Sequence, residues 1–482
     1  MTLRRIEPIV FGLAAFFAAA AGVQLAYLTE PYVPFLALAA VAAVALVAHR
    51  PMAGVYLGIL LAPLEQLSLA IGSMGGAAGS TGFALSPSEI LLIGAGGAWA
   101  VRRIVGGRLP VVDSPLTKPC LLILLAIVPG LAVAEDKLPV AKVLLIWTAL
   151  FFVYQLVVDE GSPATVRRLL LALGVAGGAL GVIALVGSGG GSDLALQGAE
   201  SAEGRVEGSF GSANTFATFE AVALPGTVAL AILWRGALRV VAGVAFILIA
   251  AGLLLTLSRG GMLAAGGALV MMVAWAPFRR LAAVVAVAAV VVVSVSGANL
   301  LGDVRIADTV SGRISSIQYA TSANPRISIW EKVPQIFVDH PLFGVGANAF
   351  SIVSPRYGIF SPDAEGGVYL HAHNIPLTIA VELGLLGLAG LAWLTVALVG
   401  VLLRAYRRGD DAGRGLTVAI AAALFALALH GMVDYTLRLN VMVAAVLALA
   451  GCAVVLSRTS AEATPAAESP PVAPVDRGRG RP

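Results

Sequence analysis

Apolar runs close to 20 residues long recur from one end of the chain to the other, separated by short polar segments. That is the length an α-helix needs to cross a bilayer core of ~30 Å. The pattern predicts about 14 spans, near 8–28, 33–48, 52–71, 88–101, 119–134, 139–158, 168–187, 213–234, 238–256, 261–276, 281–300, 374–403, 416–436 and 439–457. The third is weak, because Pro63 and Glu65 interrupt it. Apolar residues run continuously rather than in alternation, which excludes a β-barrel. The reading is an all-α polytopic membrane protein of about 12–14 transmembrane helices. One large extracytoplasmic loop carries short amphipathic helices.

The stretch from Gly302 to Gly387 is the one long hydrophilic interruption, and it runs into the apolar helix that follows His373. The chain thus divides into N-terminal spans (1–200), a second group of spans (201–300), the loop (301–373), C-terminal spans (374–457) and a tail (458–482). The tail is Ala, Pro, Ser and Arg, too poor in apolar residues to fold. Arg4 and Arg5 followed by an apolar run resemble a signal sequence, but with so many spans behind it the segment reads as a retained first helix.

Composition agrees with the pattern. Charged residues make up 12% of 482 and mean hydropathy is +0.93, whereas soluble domains carry roughly a quarter charged residues. Both cysteines, Cys120 and Cys452, fall inside apolar runs, which argues against a disulfide framework or thiolate metal site.

Charge placement sets the orientation. With the N-terminus inside, 21 of the 31 Lys and Arg fall on the cytoplasmic side, and the short loops at Arg102–Lys118, Arg279–Arg280 and Arg404–Arg414 all agree. Both termini are therefore expected inside and the 302–371 loop outside. The minority of basic residues on the outer side includes Lys142, Arg205, Arg259, Arg326 and Arg438.

Candidate chemistry gathers at that outer rim. His371 and His373 are two of the chain's five histidines. Asn374 fits an N-cap and Pro376 the first turn of the following helix. The positive end of that helix suits an anionic ligand and disfavours imidazolium, so His373 is placed to accept a proton. The blander alternative makes both histidines interfacial helix-end residues. A metal held by His371, His373 and a carboxylate such as Glu365 or Asp363 ranks below the acid–base role, since zinc asks for three or four ligands. His373 and Glu382 cannot pair along one helix, because nine residues put them on opposite faces.

Arg259 lies in the tight outer turn Leu257-Ser258-Arg259-Gly260-Gly261, where an arginine is costly without a partner and the following amides favour an anion. Its alternative is snorkelling to headgroups. Asn324-Pro325-Arg326 predicts a helix start. Ile327, Trp330, Val333 and Phe337 form its apolar face, which is expected on the membrane surface, with a kink at Pro334. From 302 to 371, five Lys or Arg meet six Asp or Glu, so single arginines rather than a basic surface must act.

These segments, taken together, resemble the O-antigen ligase and polysaccharide polymerase superfamily of bacterial membrane glycosyltransferases. The resemblance is carried by Ser258-Arg259-Gly260, by Arg326 with Trp330, and by His340-Pro341-Leu342-Phe343-Gly344-Val345-Gly346. It continues in His373-Asn374 followed by Glu382, Gly384 and Gly387, and in Gly208 to Asn214. It covers roughly residues 205–395, and the chain has about two more spans than such proteins usually do.

The resemblance implies a GT-C-like helical fold in the bacterial inner membrane. The expected activity moves a glycan from an undecaprenyl-diphosphate carrier to a sugar hydroxyl on the outer side. A ligase would use a lipid A–core acceptor, and a repeat-unit polymerase another carrier-linked glycan. It further implies that Arg259 and Arg326 hold the diphosphate and that His373 activates the acceptor. Asn374, His371, Arg205 and Asn214 are then supporting residues. No metal, cofactor or nucleic-acid partner is expected; membrane lipid is. A lipid-linked-sugar flippase or exporter is the rival from another class. It would line a path with polar groups, and Glu65, Glu220, Glu382, His430 and Asp434 are few for that purpose. An envelope scaffold subunit is the third reading.

Overall fold

The computed structural model describes residues 42–65, 69–71, 83–188, 206–273, 275–279, 325–361 and 367–462. The expected spans at 8–28 and 281–300, Arg205, Asp363, Glu365 and the tail beyond 462 lie outside these residues.

The described chain is helical apart from one small hairpin. Its elements are α1 (Pro51–Leu60), β1 (Leu69–Ile71), β2 (Phe83–Leu85), α2 (Pro87–Val105), α3 (Thr117–Ile127), α4 (Gly130–Val133), α5 (Lys137–Glu160), α6 (Pro163–Ser188), α7 (Ala213–Leu233), α8 (Ala237–Leu255) and α9 (Arg259–Val273). Within the loop lie α10 (Pro325–Asp339) and α11 (Phe350–Val353), and after it come α12 (Ile375–Arg408), α13 (Asp411–Gly431) and α14 (Asn440–Glu462). Seven of them (α5, α6, α7, α8, α12, α13 and α14) are long and apolar enough to cross a membrane. This is a polytopic all-α membrane protein.

Several expected spans differ, and those at 119–134 and 261–276 fall on helices shorter than the membrane-crossing ones. α1 ends at Leu60, where Pro63 enters a short 3-10 turn; ten residues rise only ~15 Å. The span placed at 416–436 ends at Gly431, and residues 432–439 form a turn that holds Asp434. The Val433 and Asp434 amides both donate to the His430 carbonyl (2.9 Å each), closing the helix before that aspartate.

α8 packs on α6 and α7, α13 packs on α7 and α9, and α14 packs on α5 and α12. Large apolar side chains such as Val240, Ile247, Leu263 and Val396 remain on the outside of the bundle, where lipid rather than water meets them. The loop has a separate core of Ile329, Val333, Ile336, Val345, Phe350 and Val353. This corrects the expected face of α10 in part. Val333 of that face is buried and Trp330 packs against the same core, but the other buried positions are Ile329 and Ile336, and Ile327 stands exposed. Pro334 lies inside α10.

α12 is interrupted at Gly384 (φ 63, ψ −157). The backbone of 341–346 fills the break: Val345 N–H donates to the Val381 carbonyl (2.9 Å) and Gly346 N–H to that of Glu382 (3.0 Å). From the other side Leu385 N–H donates to the Pro341 carbonyl (2.8 Å). Non-helical backbone at membrane depth survives only where protein satisfies its polar groups. A Cβ on Gly384 would lie 2.5 Å from the Leu342 carbonyl carbon.

Candidate active site

The end of α13, the start of α12 and the start of α10 meet at one point. Asn374 caps α12, its Oδ1 accepting from Leu377 N–H (2.9 Å), while its amide donates to the Met432 carbonyl (2.8 Å). This ties the α12 start to the turn after α13. Trp330, on α10, donates its indole N–H to the Ala372 carbonyl (2.8 Å) and fixes the segment between the two histidines. His373 sits in the left-handed region (φ 51), which costs a non-glycine residue ~1–2 kcal/mol and is a form of strain common at functional sites.

His373 Nδ1 faces Asp434 Oδ1 at 3.1 Å, and Arg326 Nη2 lies 3.7 Å from Asp434 Oδ2. The Asp434 side chain is 7% exposed and that of His373 25%. Asp434 Oδ1 also accepts its neighbour Tyr435's N–H (2.7 Å). Burial raises the Asp434 carboxyl, but the hydrogen bond and charge of His373, with His371 and Arg326, outweigh it and hold the group well below the usual carboxylate range. An ionised carboxylate accepts the Nδ1 proton of its imidazole partner, which leaves Nε2 as the lone-pair nitrogen.

His371 has a different character. Its ring lies 4.4 Å from that of His373 and its Nδ1 accepts the His373 backbone N–H (3.3 Å). Burial, then the neighbouring His373, push its imidazole down to about 3, with Asp434 opposing. It is a neutral packing and acceptor group.

Arg259 and Asn214 occupy an adjoining cluster. Asn214 Oδ1 accepts from the Ser258 hydroxyl (2.9 Å), and Ser258 Oγ accepts from Gly261 N–H (3.3 Å), capping α9. Arg259 is exposed at that helix start. The next residue, Gly260, abuts the His430 ring, and His430 Nδ1 pairs with Thr218 Oγ1 (2.6 Å). The turn bearing Arg259 is thus braced on the same end of α13 that presents Asp434.

Asp434 and His430 entered the sequence reading only as sparse polar groups in the spans. The usable signal was a carboxylate four residues after a histidine at the end of an apolar run. Asp434 also alters the metal question. Ligand atoms of His371, His373 and Asp434 lie within 4.8 Å of one another, so the set reaches the minimum that zinc asks for. The Arg326 guanidinium, however, already offers positive charge to the same carboxylate.

Below this cluster an apolar cavity of about 800 Å³ runs between α3, α5, α12, α13 and α14. Ile375, Pro376 and Met432 line it next to the histidines, and Leu403 and Tyr406 line it further along α12.

No curated protein matches the chain. Residues 244–392, which hold the Arg259 turn, α10 and the His373 start of α12, match the family model described as O-Antigen ligase. In this central segment, less than half of the chain, the membrane protein is similar to the O-antigen ligase family.

Proposed function

We propose that the protein is an O-antigen ligase-type glycosyltransferase. It takes a glycan from an undecaprenyl-diphosphate carrier at the outer face of the inner membrane and passes it to a lipid A–core hydroxyl. Both termini are cytoplasmic in this reading. The observation that carries it is the Arg326–Asp434–His373 cluster, a carboxylate-oriented imidazole with a guanidinium beside it.

The acceptor O–H gives its proton to His373 Nε2 as its oxygen attacks the anomeric carbon. The bond from that carbon to the diphosphate oxygen breaks, and the diphosphate departs with the bonding pair. Arg326 and Arg259 neutralise the charge it gains, a task in which guanidinium replaces a metal. Asp434 stabilises the imidazolium, while Asn214, Asn374 and His371 hold the geometry. The apolar cavity beside the cluster has the chemistry to seat a polyprenyl chain.

The test is transfer by purified protein in liposomes containing lipid-linked glycan and lipid A–core. His373→Ala should lose transfer by roughly 10²–10⁴-fold and still bind donor; His371→Ala should retain a substantial fraction, and EDTA should change nothing. An active His373→Ala, or activity lost on chelation and restored by one divalent ion, would overturn this mechanism. Product formed only with a second carrier-linked glycan as acceptor would make it a polymerase.

A further inference from the structure

Tyr435 separates the histidine cluster from a second, smaller cavity of about 160 Å³. Its ring stands 5.4 Å from that of His371 on one side, and it lines this cavity on the other. An engineered cavity of ~150 Å³ accommodates benzene, so the space matches one six-membered ring. Five separate parts of the chain build it: the end of α3, the first turns of α5, the segment before α11, α12 just ahead of the Gly384 break, and the turn between α13 and α14 with the first residue of α14.

The lining is mixed in a specific way. Lys142 comes from α5 and Arg438 from the α13–α14 turn, against a single carboxyl, Glu382. Trp147 and Tyr435 supply aromatic surface, while Asn348 and Asn440 supply amides. Glu382 is committed to the loop, with Oε2 accepting from Asn348 N–H (2.9 Å). Asn348 is held in the left-handed region (φ 58) at this cavity. The Asn440 amide donates to Glu89 and is fixed from behind. The two cations line the cavity together with that one acid. Both also belong to the minority of basic residues that the positive-inside pattern disfavours at the outer surface, and Lys142 lies in a membrane-crossing helix, where an ionisable residue marks function.

Aromatic faces with convergent amides fit the apolar face and the hydroxyl rim of a sugar. Paired basic residues from two elements fit an anionic substituent on it. We infer that the cavity lined by Lys142, Arg438, Trp147 and Tyr435 binds an acidic sugar, bearing a carboxylate or a phosphate, of the acceptor glycan. The proposal rests on the glycosyltransferase reading for the word acceptor. The binding itself does not depend on transfer.

The experiment therefore measures binding first, by saturation-transfer NMR on the purified full-length protein, with glucuronate, glucose 6-phosphate and glucose as probes. One or both acidic sugars should bind and glucose should not, and the preference between the two identifies carboxylate or phosphate as the substituent. Lys142→Gln and Arg438→Gln should each weaken acidic-sugar binding by about tenfold, and Lys142→Arg should retain it, which separates lost charge from lost fold. Transfer kinetics form the second arm: the Gln variants should raise KM for an acidic acceptor by a similar factor while kcat holds. Equal binding of glucose, or undiminished binding by both Gln variants, overturns the proposal. Binding that follows the pattern in a protein showing no transfer upholds the cavity and rejects the transferase reading instead.

Discussion

Asp434→Asn isolates the charge that orients His373. The amide has the shape of the carboxylate, and its Oδ1 can still accept the Tyr435 N–H that the carboxylate accepts at 2.7 Å, so the turn after α13 should keep its form. What disappears is the negative partner 3.1 Å from His373 Nδ1. If the amide oxygen faces the ring, the imidazolium loses most of its stabilisation. The opposite orientation, with the NH₂ toward the ring, would also turn a donor toward the Tyr435 N–H, which shares the same oxygen, so it is disfavoured. In a serine protease the same change in the His–Asp pair costs about 10⁴ in kcat. A diphosphate leaves far more readily than an amine, so less is asked of the base here, and kcat should fall by about 10²–10³, or ~3–4 kcal/mol. Arg326, 3.7 Å from the same carboxylate, loses its counter-charge and should attract the donor diphosphate more strongly. Donor KM should hold or fall. Initial rates in liposomes at varied donor concentration separate the two constants. A near-normal kcat for Asp434→Asn, alongside an inactive His373→Ala, would refute the idea that this carboxylate tunes the base.

Three further outcomes follow from the same geometry. Arg259→Ala and Arg326→Ala should each cost roughly 10²–10³ in transfer, with Lys restoring only part because it lacks the planar fork; full activity of Arg259→Ala would remove it from the site. Gly384→Ala should lower the detergent melting temperature by several degrees or abolish folding, since the new Cβ meets Leu342 backbone at 2.5 Å, and an unchanged melting curve would count against the break. His371 is held down to about 3 by burial against an ordinary ~6.5. Between those values the unfolded chain binds a proton there and the folded chain does not, so stability is full above about 6.5 and falls as pH drops toward 3. Melting curves from pH 8 to 5 should show a shallower loss for His371→Gln, and parallel curves would contradict the assignment.

Much of this was legible from spacing alone. Apolar run length located nearly every described helix, and the Asn374 cap, the Pro325 start and the Ser258–Gly261 turn followed from local rules that need only a few neighbouring residues. Asp434 was not legible as a partner, because it meets His373 across 61 positions through a turn hidden at the end of an apolar run. The filling of the α12 break was equally out of reach. A glycine pattern announces flexibility without saying which distant backbone will occupy the space it leaves.

Because the 341–346 backbone is bonded into α12, the covalent boundary between loop and helix is not the mechanical one. Residues 375–383 are sequentially the head of a 34-residue helix, yet their carbonyls at Val381 and Glu382 serve the loop. In construction terms this stub is a tenon cut from the helix and seated in the loop. Hybrids that exchange outer loops between such proteins would have to carry the stub along and be joined after Gly384. A splice at Asn374 would separate two halves of one folded unit.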